Sequence, residues 1–222
     1  MSDRSGGGGI FVTGTGTEVG KTVVAAVLAH TLAAEGRGVA VFKPCVTGLD
    51  ENPPEADHEL LRRAAGSDQS DEQIAPYRYG PPASPHLAAA LAGEEIDPER
   101  LRAAARDAAD GADAIVCEGV GGLLVPLAPD YLVRDLAVDL GYPLAIVASP
   151  GLGTINHTLL TIAAARAAGL EVALVVLTPW PEHPSEIKES NRETIAAVGK
   201  VEVRTLPTLD LGAPETWPQL SW

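Results

Sequence analysis

The sequence predicts an α/β domain in which a mostly parallel β-sheet is flanked by helices. Short, continuous apolar runs recur along the chain, and such runs are typical of strands buried on both faces of a parallel sheet. Helix-favouring segments alternate with these runs, as right-handed crossovers between parallel strands require. The 222 residues contain no internal repeat and no linker composition. We therefore expect a flexible lead-in over residues 1–9 and a single domain over residues 10–222.

Local signals delimit each element in chain order. Glycines favour the ends of helices, as at Gly36 and Gly169, and proline is tolerated in a first turn, as at Pro98. The predicted strands cover residues 10–12, 39–42, 114–119, 144–148 and 172–177, with an edge strand at 201–206. The predicted helices cover residues 23–34, 57–65, 84–91, 97–109, 131–140, 158–168 and 185–198. Residues 50–56 and 68–85 are expected to be loops because they are polar and contain prolines, and residues 123–127 are expected to cross toward another element.

Charge and cysteine content exclude several classes of function. The formal net charge of −14 predicts repulsion from nucleic acids and anionic membranes, so we expect neither as a partner. The two cysteines, Cys45 and Cys117, form no disulfide framework, which favours a reducing compartment. Residues 1–9 lack the apolar segment of a signal peptide, and no apolar run is long enough to span a bilayer. A cytoplasmic location is the resulting expectation.

The most informative stretch covers residues 14–22, with the sequence Gly-Thr-Gly-Thr-Glu-Val-Gly-Lys-Thr. It follows an apolar strand and leads into a helix, which is the context of a phosphate-binding loop. Glycines let successive backbone N–H groups converge on an anion at the positive end of the helix. Lys21 would reach the outer phosphates and the Thr22 hydroxyl would ligate Mg²⁺. Five residues separate Gly14 from Gly20, one more than in the common pattern; the alternative is a structural turn with a chance Gly-Lys-Thr.

Other chemically useful side chains follow later strands. Ligands of open α/β sheets bind beyond the carboxyl ends of the strands, where we expect Lys43, Thr47 and Glu118. An acidic strand end such as Glu118 is typical of a carboxylate that orients Mg²⁺. Each residue also has a structural interpretation. Lys43 could be a solvated strand-end lysine, Glu118 could be a strand-end glutamate followed by a turn, and Asp57 could cap a helix or complement its dipole.

Five motifs in order resemble those of dethiobiotin synthetases. They are residues 14–22, Lys43-Pro44-x-x-Thr47-Gly48, Ser84-Pro85-His86, Glu118-Gly119-x-Gly121-Gly122 and Leu152-Gly153-Thr154-Ile155-Asn156-His157. The resemblance runs from about residue 10 to residue 169, includes the longer phosphate loop, and implies a P-loop NTPase-like fold. The family uses MgATP to carboxylate 7,8-diaminononanoate with CO₂ and to close the ring to dethiobiotin, releasing ADP and phosphate. It does so through a carbamate and a mixed carbamic-phosphoric anhydride.

The resemblance also implies roles for individual residues. Catalysis falls to Lys21, Lys43 and Thr47, and the Mg²⁺ ligands are Thr22, Asp57 and Glu118. The implied nucleotide-binding residues are Thr17, Glu18, Val19, Gly20, Lys21, Thr22, Asp57, Glu118, Gly119, Val120, Gly121, Thr178, Pro179, Pro207, Thr208 and Leu209. The implied substrate-binding residues are Thr17, Lys43, Thr47, Gly121, Leu152, Gly153, Thr154 and Asn156, with the last four supplied by the partner subunit of a homodimer.

One position departs from the family pattern. Many members carry an asparagine after the fifth main strand that reads the adenine edge, whereas this sequence has Thr178-Pro179-Trp180. A threonine cannot make the same bidentate contact, so we expect looser discrimination among nucleoside triphosphates. Trp180, Trp217 and Trp222 could stack on a base, although core packing or a place near the chain end is the preferred interpretation.

Three other functions are compatible with part of the same motifs. A partitioning-type ATPase of the same superfamily would act as a nucleotide-gated dimer, but such proteins carry an additional lysine early in the phosphate loop and residues 15–17 contain none. A cobyrinic acid amidating synthase would need a glutaminase domain, for which the chain has no room. A binding module without catalysis is the third alternative.

Overall fold

The central sheet of the chain consists of parallel strands whose carboxyl ends share one edge. The computed structural model describes residues 8–222, and residues 1–7 of the expected lead-in lie outside the described part. The strands in chain order are β1 (Gly8–Gly14), β2 (Val39–Phe42), β3 (Cys45–Val46), β4 (Tyr77–Arg78), β5 (Ala114–Gly122), β6 (Pro126–Ala128), β7 (Tyr131–Leu132), β8 (Leu144–Ala148), β9 (Val172–Leu177) and β10 (Glu202–Thr205).

The helices alternate with these strands. They are α1 (Lys21–Ala34), α2 (Asp57–Ala65), α3 (Asp71–Ile74), α4 (Pro85–Leu91), α5 (Pro98–Ala109), α6 (Val133–Leu140), α7 (Thr154–Ala167) and α8 (Glu186–Gly199). Short 3₁₀ helices cover Leu49–Glu51 and Pro214–Thr216. In the described residues, no helix combines the length and hydropathy that crossing a bilayer requires.

The six main strands pair in the order β10-β9-β8-β1-β5-β2, and every pairing among them is parallel. The predicted fold class and the predicted edge position of β10 are thereby confirmed. Small sheets of two strands join β3 to β4 and β6 to β7. Apolar side chains are buried on both faces of the sheet, as at Ile10 and Phe11, which belong to different core clusters.

Several element boundaries differ from those predicted. Strand β1 begins at Gly8 rather than at residue 10, because Gly8 and Gly9 pair with Ala114 and Ile115. The ring of Tyr142 lies where a Cβ at residue 9 would stand, so a glycine fits this strand although it resembles a linker residue.

Residues 68–85 were predicted to be a loop, but they contain α3 and β4. The four-residue helix α3 is too short for a hydrophobic period to reveal it, and β4 exists only through its pairing with β3. Residues 131 and 132 pair with β6 instead of opening a helix. Helix α7 starts at Thr154, four residues before the predicted start at residue 158, after Gly153 takes a left-handed conformation.

The edge of the sheet at β2 is closed by a glutamine side chain. The Val41 N–H donates to Gln69 Oε1 at 2.8 Å, and Gln69 Nε2 donates to the Val41 carbonyl at 3.1 Å. The Lys43 N–H then donates to the Ile74 carbonyl at 2.8 Å. These bonds occupy backbone groups that an edge strand would otherwise expose, and they fix the position from which the Lys43 side chain extends.

Candidate active site

The predicted site residues meet because β1, β5 and β2 are neighbours in the sheet. Glu118 lies opposite Val12 in the β1–β5 register, and Lys43 follows Phe42, which pairs with Cys117. The phosphate loop that follows β1 therefore lies at the carboxyl ends of the strands, together with the Glu118 carboxylate and the Lys43 ammonium. Open α/β sheets bind their ligands beyond these strand ends.

The phosphate loop ends in a helix start that favours anion binding. Gly20 adopts a left-handed conformation with φ 94°, and helix α1 begins at Lys21. No side chain caps α1, so its first N–H groups remain available to an anion. Lys21 Nζ donates to the Gly16 carbonyl at 2.8 Å, which holds the ammonium across the loop.

Three side-chain oxygens from three different elements converge beside this loop. Thr22 Oγ1 donates to Asp57 Oδ1 at 3.0 Å and lies 2.9 Å from Glu118 Oε1. Glu118 Oε2 is buried and has no hydrogen-bond partner among the described residues. Asp57 lies in the first turn of α2, whose N-cap position is Ala56, so Asp57 is not the cap and its side chain reaches the site.

This oxygen set fits a hard divalent cation. Mg²⁺ prefers oxygen ligands and is usually held by one or two carboxylates together with substrate phosphates. The orphaned Glu118 Oε2 gives a buried acceptor that such an ion would satisfy. Residues 8–222 contain no group of three or more His, Cys, Asp or Glu side chains suited to a metal, and this site offers two carboxylates and one hydroxyl. The residues that could hold a metal are therefore Thr22, Asp57 and Glu118.

Lys43 bridges the two carboxylates. Its Nζ lies 2.5 Å from Asp57 Oδ2 and 2.8 Å from Glu118 Oε1, and the residue is 3% exposed. Burial alone would lower the pKa of the Lys43 ammonium, but Glu118 and Asp57 outweigh it, and the pKa lies above its ordinary value. Lys43 is thus held as a buried cation, and the interpretation of a solvated strand-end lysine is wrong.

The other charges of the cluster respond to the same contacts. Burial lowers the pKa of Lys21, an effect that Glu118 opposes and the Lys43 cation reinforces. Burial raises the pKa of Glu118; Lys43 opposes this effect and the Asp57 charge adds to it. Burial also acts to raise the pKa of Asp57, but Lys43 and Thr22 lower it below its ordinary value. The cluster contains two ammonium groups and two carboxyl groups, which makes it sensitive to any added phosphate or metal charge.

A cleft of about 440 Å³ opens above these residues. The predicted residues that line it are Thr17, Glu18, Gly20, Lys21, Thr22, Lys43, Thr47, Asp57, Glu118, Val120 and Gly121. Val23, Cys45 and Glu51 line it as well and were not predicted, since Cys45 occupies an unspecified position of its motif and Val23 and Glu51 belong to none of the motifs. Burial raises the pKa of the Cys45 thiol to about 12, so Cys45 contributes a neutral wall and no thiolate nucleophile.

A second cavity, of about 620 Å³, lies at the ends of β9 and β10. It is lined by Trp180, Pro181, Glu182, Pro207 and Thr208, of which Pro207 and Thr208 were predicted to bind nucleotide. Thr178 is 4% exposed and its methyl group faces Gly20. A Cβ added at Gly20 would lie only 2.7 Å from that methyl carbon. Most of the Thr178 side chain therefore packs against the phosphate loop.

The remaining predicted residues lie outside both cavities. Val19 packs on the core near Gly14. Gly119 lies against the Phe11 ring, and a Cβ added at Gly119 would lie 3.0 Å from that ring. Pro179 and Leu209 flank the second cavity in sequence. Leu152 is 97% exposed, Gly153 and Asn156 are exposed, and Thr154 is buried with its hydroxyl 3.4 Å from that of Thr158. Within one chain, the segment 152–156 does not reach the cleft that contains Lys43.

The chain is similar in sequence to known proteins. A family model described as AAA domain matches residues 8–213. The ATP-dependent dethiobiotin synthetase BioD of Bacillus subtilis subsp. natto is 38% identical over 187 residues, which are 84% of this chain and 81% of that protein. The protein of the same name from Bacillus cereus (strain G9842) is 40% identical over 195 residues, 88% of this chain and 81% of that protein. The corresponding protein of Anaeromyxobacter dehalogenans is 46% identical over 169 residues, 76% of this chain and 75% of that protein.

The family model spans both the phosphate loop and the strand ends that carry Lys43 and Glu118. On this evidence the chain belongs to the ATP-dependent dethiobiotin synthetase family.

Proposed function

We propose that this protein catalyses the MgATP-dependent carboxylation and ring closure of 7,8-diaminononanoate to dethiobiotin, with release of ADP and phosphate. The observation that carries the proposal is the contact of Lys43 Nζ with Asp57 and Glu118 beside the phosphate loop. A buried cation next to a phosphate-binding helix start is suited to a reaction in which two anions, a triphosphate and a carbamate, must approach each other.

The reaction begins when one amine of the substrate adds to CO₂, forming a carbamate and releasing a proton. A carbamate oxygen then attacks the γ-phosphorus of ATP, and ADP leaves. The second amine attacks the carbonyl carbon of the mixed anhydride, loses a proton and expels phosphate, which closes the ring. Phosphoryl transfer of this kind depends mainly on positioning and charge neutralisation.

Each of the following cleft residues has a role in these reaction steps. Lys21 would bind the γ-phosphate from the loop side, once its ammonium leaves the Gly16 carbonyl. Lys43 would lie between the carbamate and the transferred phosphoryl group and offset their negative charges. Thr47, which lines the same cleft, would bind the carbamate or an amine through its hydroxyl. Thr22, Asp57 and Glu118 would hold Mg²⁺, which neutralises charge on the phosphates when it is bound.

Phosphate release tests the proposal directly. We expect release that requires ATP, Mg²⁺, the diamine and bicarbonate together, because the phosphoryl acceptor exists only after carbamate formation. Turnover stimulated by DNA or lipid, without any need for the diamine, would favour the partitioning-type ATPase. Nucleotide binding with no turnover under any of these conditions would favour a binding module.

We further propose that the protein discriminates weakly among nucleoside triphosphates. The support is the small, 4% exposed Thr178 side chain, which packs on Gly20 and leaves little polar surface toward a base. Steady-state rates with ATP, CTP and GTP measure this property, and we expect values of kcat/KM within about tenfold of one another. A strong preference for ATP would refute it.

We also propose that the protein works in the cytoplasm as a homodimer whose partner subunit supplies residues 152–156 to the substrate site. An apolar groove of about 420 Å³ supports this, since Leu124 and Leu160 line it and are 54% and 60% exposed in the single chain. Leu152, on the same helix–turn segment as Leu160, is 97% exposed. Exposed apolar groups of this size are typical of subunit interfaces.

Subunit complementation tests the shared site. Lys43→Met and Asn156→Leu variants, each impaired alone, would be mixed and refolded or co-expressed. In a shared site, each heterodimer contains one intact site, so the mixture is expected to recover about a quarter of wild-type activity. No recovery, with heterodimers verified by differential tags, would show that both residues serve the same chain's site.

A further inference from the structure

The C-terminal segment over residues 210–222, here called the strap, folds back from the sheet edge onto helix α1. Within it, Trp217 is 7% exposed and Leu220 is 4% exposed, and both belong to the core cluster that contains α1. Leu211 packs against the same cluster. The strap is therefore anchored to the core by Trp217 and Leu220, although its sequence shows no helix or strand pattern.

Two kinds of contact attach the strap to α1. The Trp217 ring meets the His30 ring edge-on at 5.4 Å between centroids, a geometry that stabilises aromatic pairs. The Leu220 N–H donates to Thr31 Oγ1 at 3.0 Å, and Thr31 Oγ1 itself donates to the Val27 carbonyl at 2.8 Å. Trp217 Nε1 also donates to the Asp210 carbonyl at 2.7 Å, which ties Trp217 to the start of the strap.

The strap begins where the lining of the second cavity ends. The Leu206 N–H donates to the Leu177 carbonyl at 3.0 Å, and the Trp180 N–H donates to the Leu206 carbonyl at 2.8 Å. Pro207 and Thr208, which line the cavity, are exposed. The loop over residues 207–209 is thus held at its start by the sheet and at its end by the strap.

We propose that the strap positions the loop over residues 207–209 relative to the phosphate loop, and that Trp217 is the positioning residue. Helix α1 begins at Lys21 and Thr22, and His30 lies about 14 Å further along the same rigid helix. A strap fixed to α1 therefore holds the loop over residues 207–209, which lines the second cavity, at a fixed position relative to the phosphate loop. This inference rests on the proposed role of residues 207–209 in nucleotide binding.

A comparison of the affinities for MgATP and for its triphosphate portion distinguishes a positioning role of Trp217 from a general effect on stability. The dissociation constants of MgATP and of magnesium tripolyphosphate would be measured by calorimetry for wild type, Trp217→Ala and Trp222→Ala. Trp222 is the matched control, since it lies on the same strap and is 37% exposed. Trp217→Ala is expected to weaken MgATP binding about tenfold, because the loop must then be ordered during binding. Tripolyphosphate binding and kcat at saturating ATP are expected to be unchanged.

Conservative variants complete the test. Trp217→Phe retains a ring against His30 and should restore most of the MgATP affinity. If Trp217→Ala does not fold, Thr31→Val removes the acceptor for the Leu220 N–H, together with the bond to the Val27 carbonyl within α1, and we expect a selective loss of about threefold for MgATP. Equal weakening of both ligands, or no weakening of either, would overturn the inference while the proposed function remained. A wild-type protein that binds MgATP no better than tripolyphosphate would instead overturn the role of residues 207–209.

Discussion

Replacing Lys43 with methionine gives a quantitative test of the buried charge cluster. Methionine keeps most of the volume and removes the ammonium, so Glu118 and Asp57 would face each other without the cation that bridges them, and only Lys21 would remain nearby. Glu118 is 1% exposed and cannot regain solvent, whereas the Asp57 side chain is 45% exposed. The main loss is therefore at Glu118, because screening by water weakens the effect at Asp57.

The expected magnitude follows from the 2.8 Å separation of Lys43 Nζ and Glu118 Oε1. At an effective dielectric constant of about 20, this distance corresponds to about 6 kcal/mol of attraction. Part of that energy offsets desolvation, and breaking a buried pair by removing one partner commonly costs about 3–5 kcal/mol. We expect Lys43→Met to lower the free energy of unfolding by about 4 kcal/mol, which lowers Tm by about 12 °C in a domain of this size.

The assay is urea unfolding in a buffer containing EDTA, so that no divalent cation replaces the missing charge. Lys188→Met on α8 serves as a control for the same substitution away from the site. The double variant Lys43→Met/Glu118→Gln removes both charges and should be more stable than Lys43→Met alone, with a coupling of about 2–3 kcal/mol. A loss below about 1 kcal/mol in Lys43→Met, or strictly additive effects in the double variant, would refute the reasoning.

The same variant also separates catalysis from binding. Since Lys43 is proposed to act on the transferring phosphoryl group, Lys43→Met should lower kcat by about 100-fold to 1,000-fold. The dissociation constant for nucleotide should change by less than about fivefold. Equal losses in both quantities would contradict a role confined to the transition state.

The remaining predictions concern the metal site, acid stability and the sheet edge. Glu118→Gln should raise the Mg²⁺ concentration for half-maximal activity by about tenfold or more, and an unchanged titration would remove Glu118 from the metal site. The pKa of Asp57 lies below its ordinary 3.8 in the folded chain, so its stabilising contribution is present above that pH and is lost as the pH falls through the folded pKa. Unfolding of Asp57→Asn should accordingly depend less on pH between about 5 and 3 than wild type. Gln69→Ala should cost about 2 kcal/mol, because the buried Val41 N–H and carbonyl lose both bonds to the glutamine amide; a change under about 0.5 kcal/mol in thermal unfolding would contradict this.

Local pattern was sufficient to predict most of the fold. The strands at residues 39–42, 144–148 and 172–177 have the predicted bounds, because short apolar runs between turn residues leave few alternatives. The pattern failed for β4 and the β6–β7 pair, whose strands of two or three residues exist only through their partners. It also failed at Gly9, which was expected in the lead-in but lies in β1. Glycine fits this position of the strand because the Tyr142 ring occupies the space of a Cβ.

The sequence by itself determined the phosphate loop and the chemical character of the strand ends, since both depend on neighbours along the chain. Only the tertiary structure decided which side chains meet. Thr22 and Glu118 are 96 residues apart in sequence, and they come into contact because the strand order places β5 directly beside β1. Likewise, Leu220 meets Thr31 across 189 residues, and nothing local in the proline-rich tail predicts that contact. Strand order and tail docking result from packing of the whole core, so no short stretch of sequence encodes them.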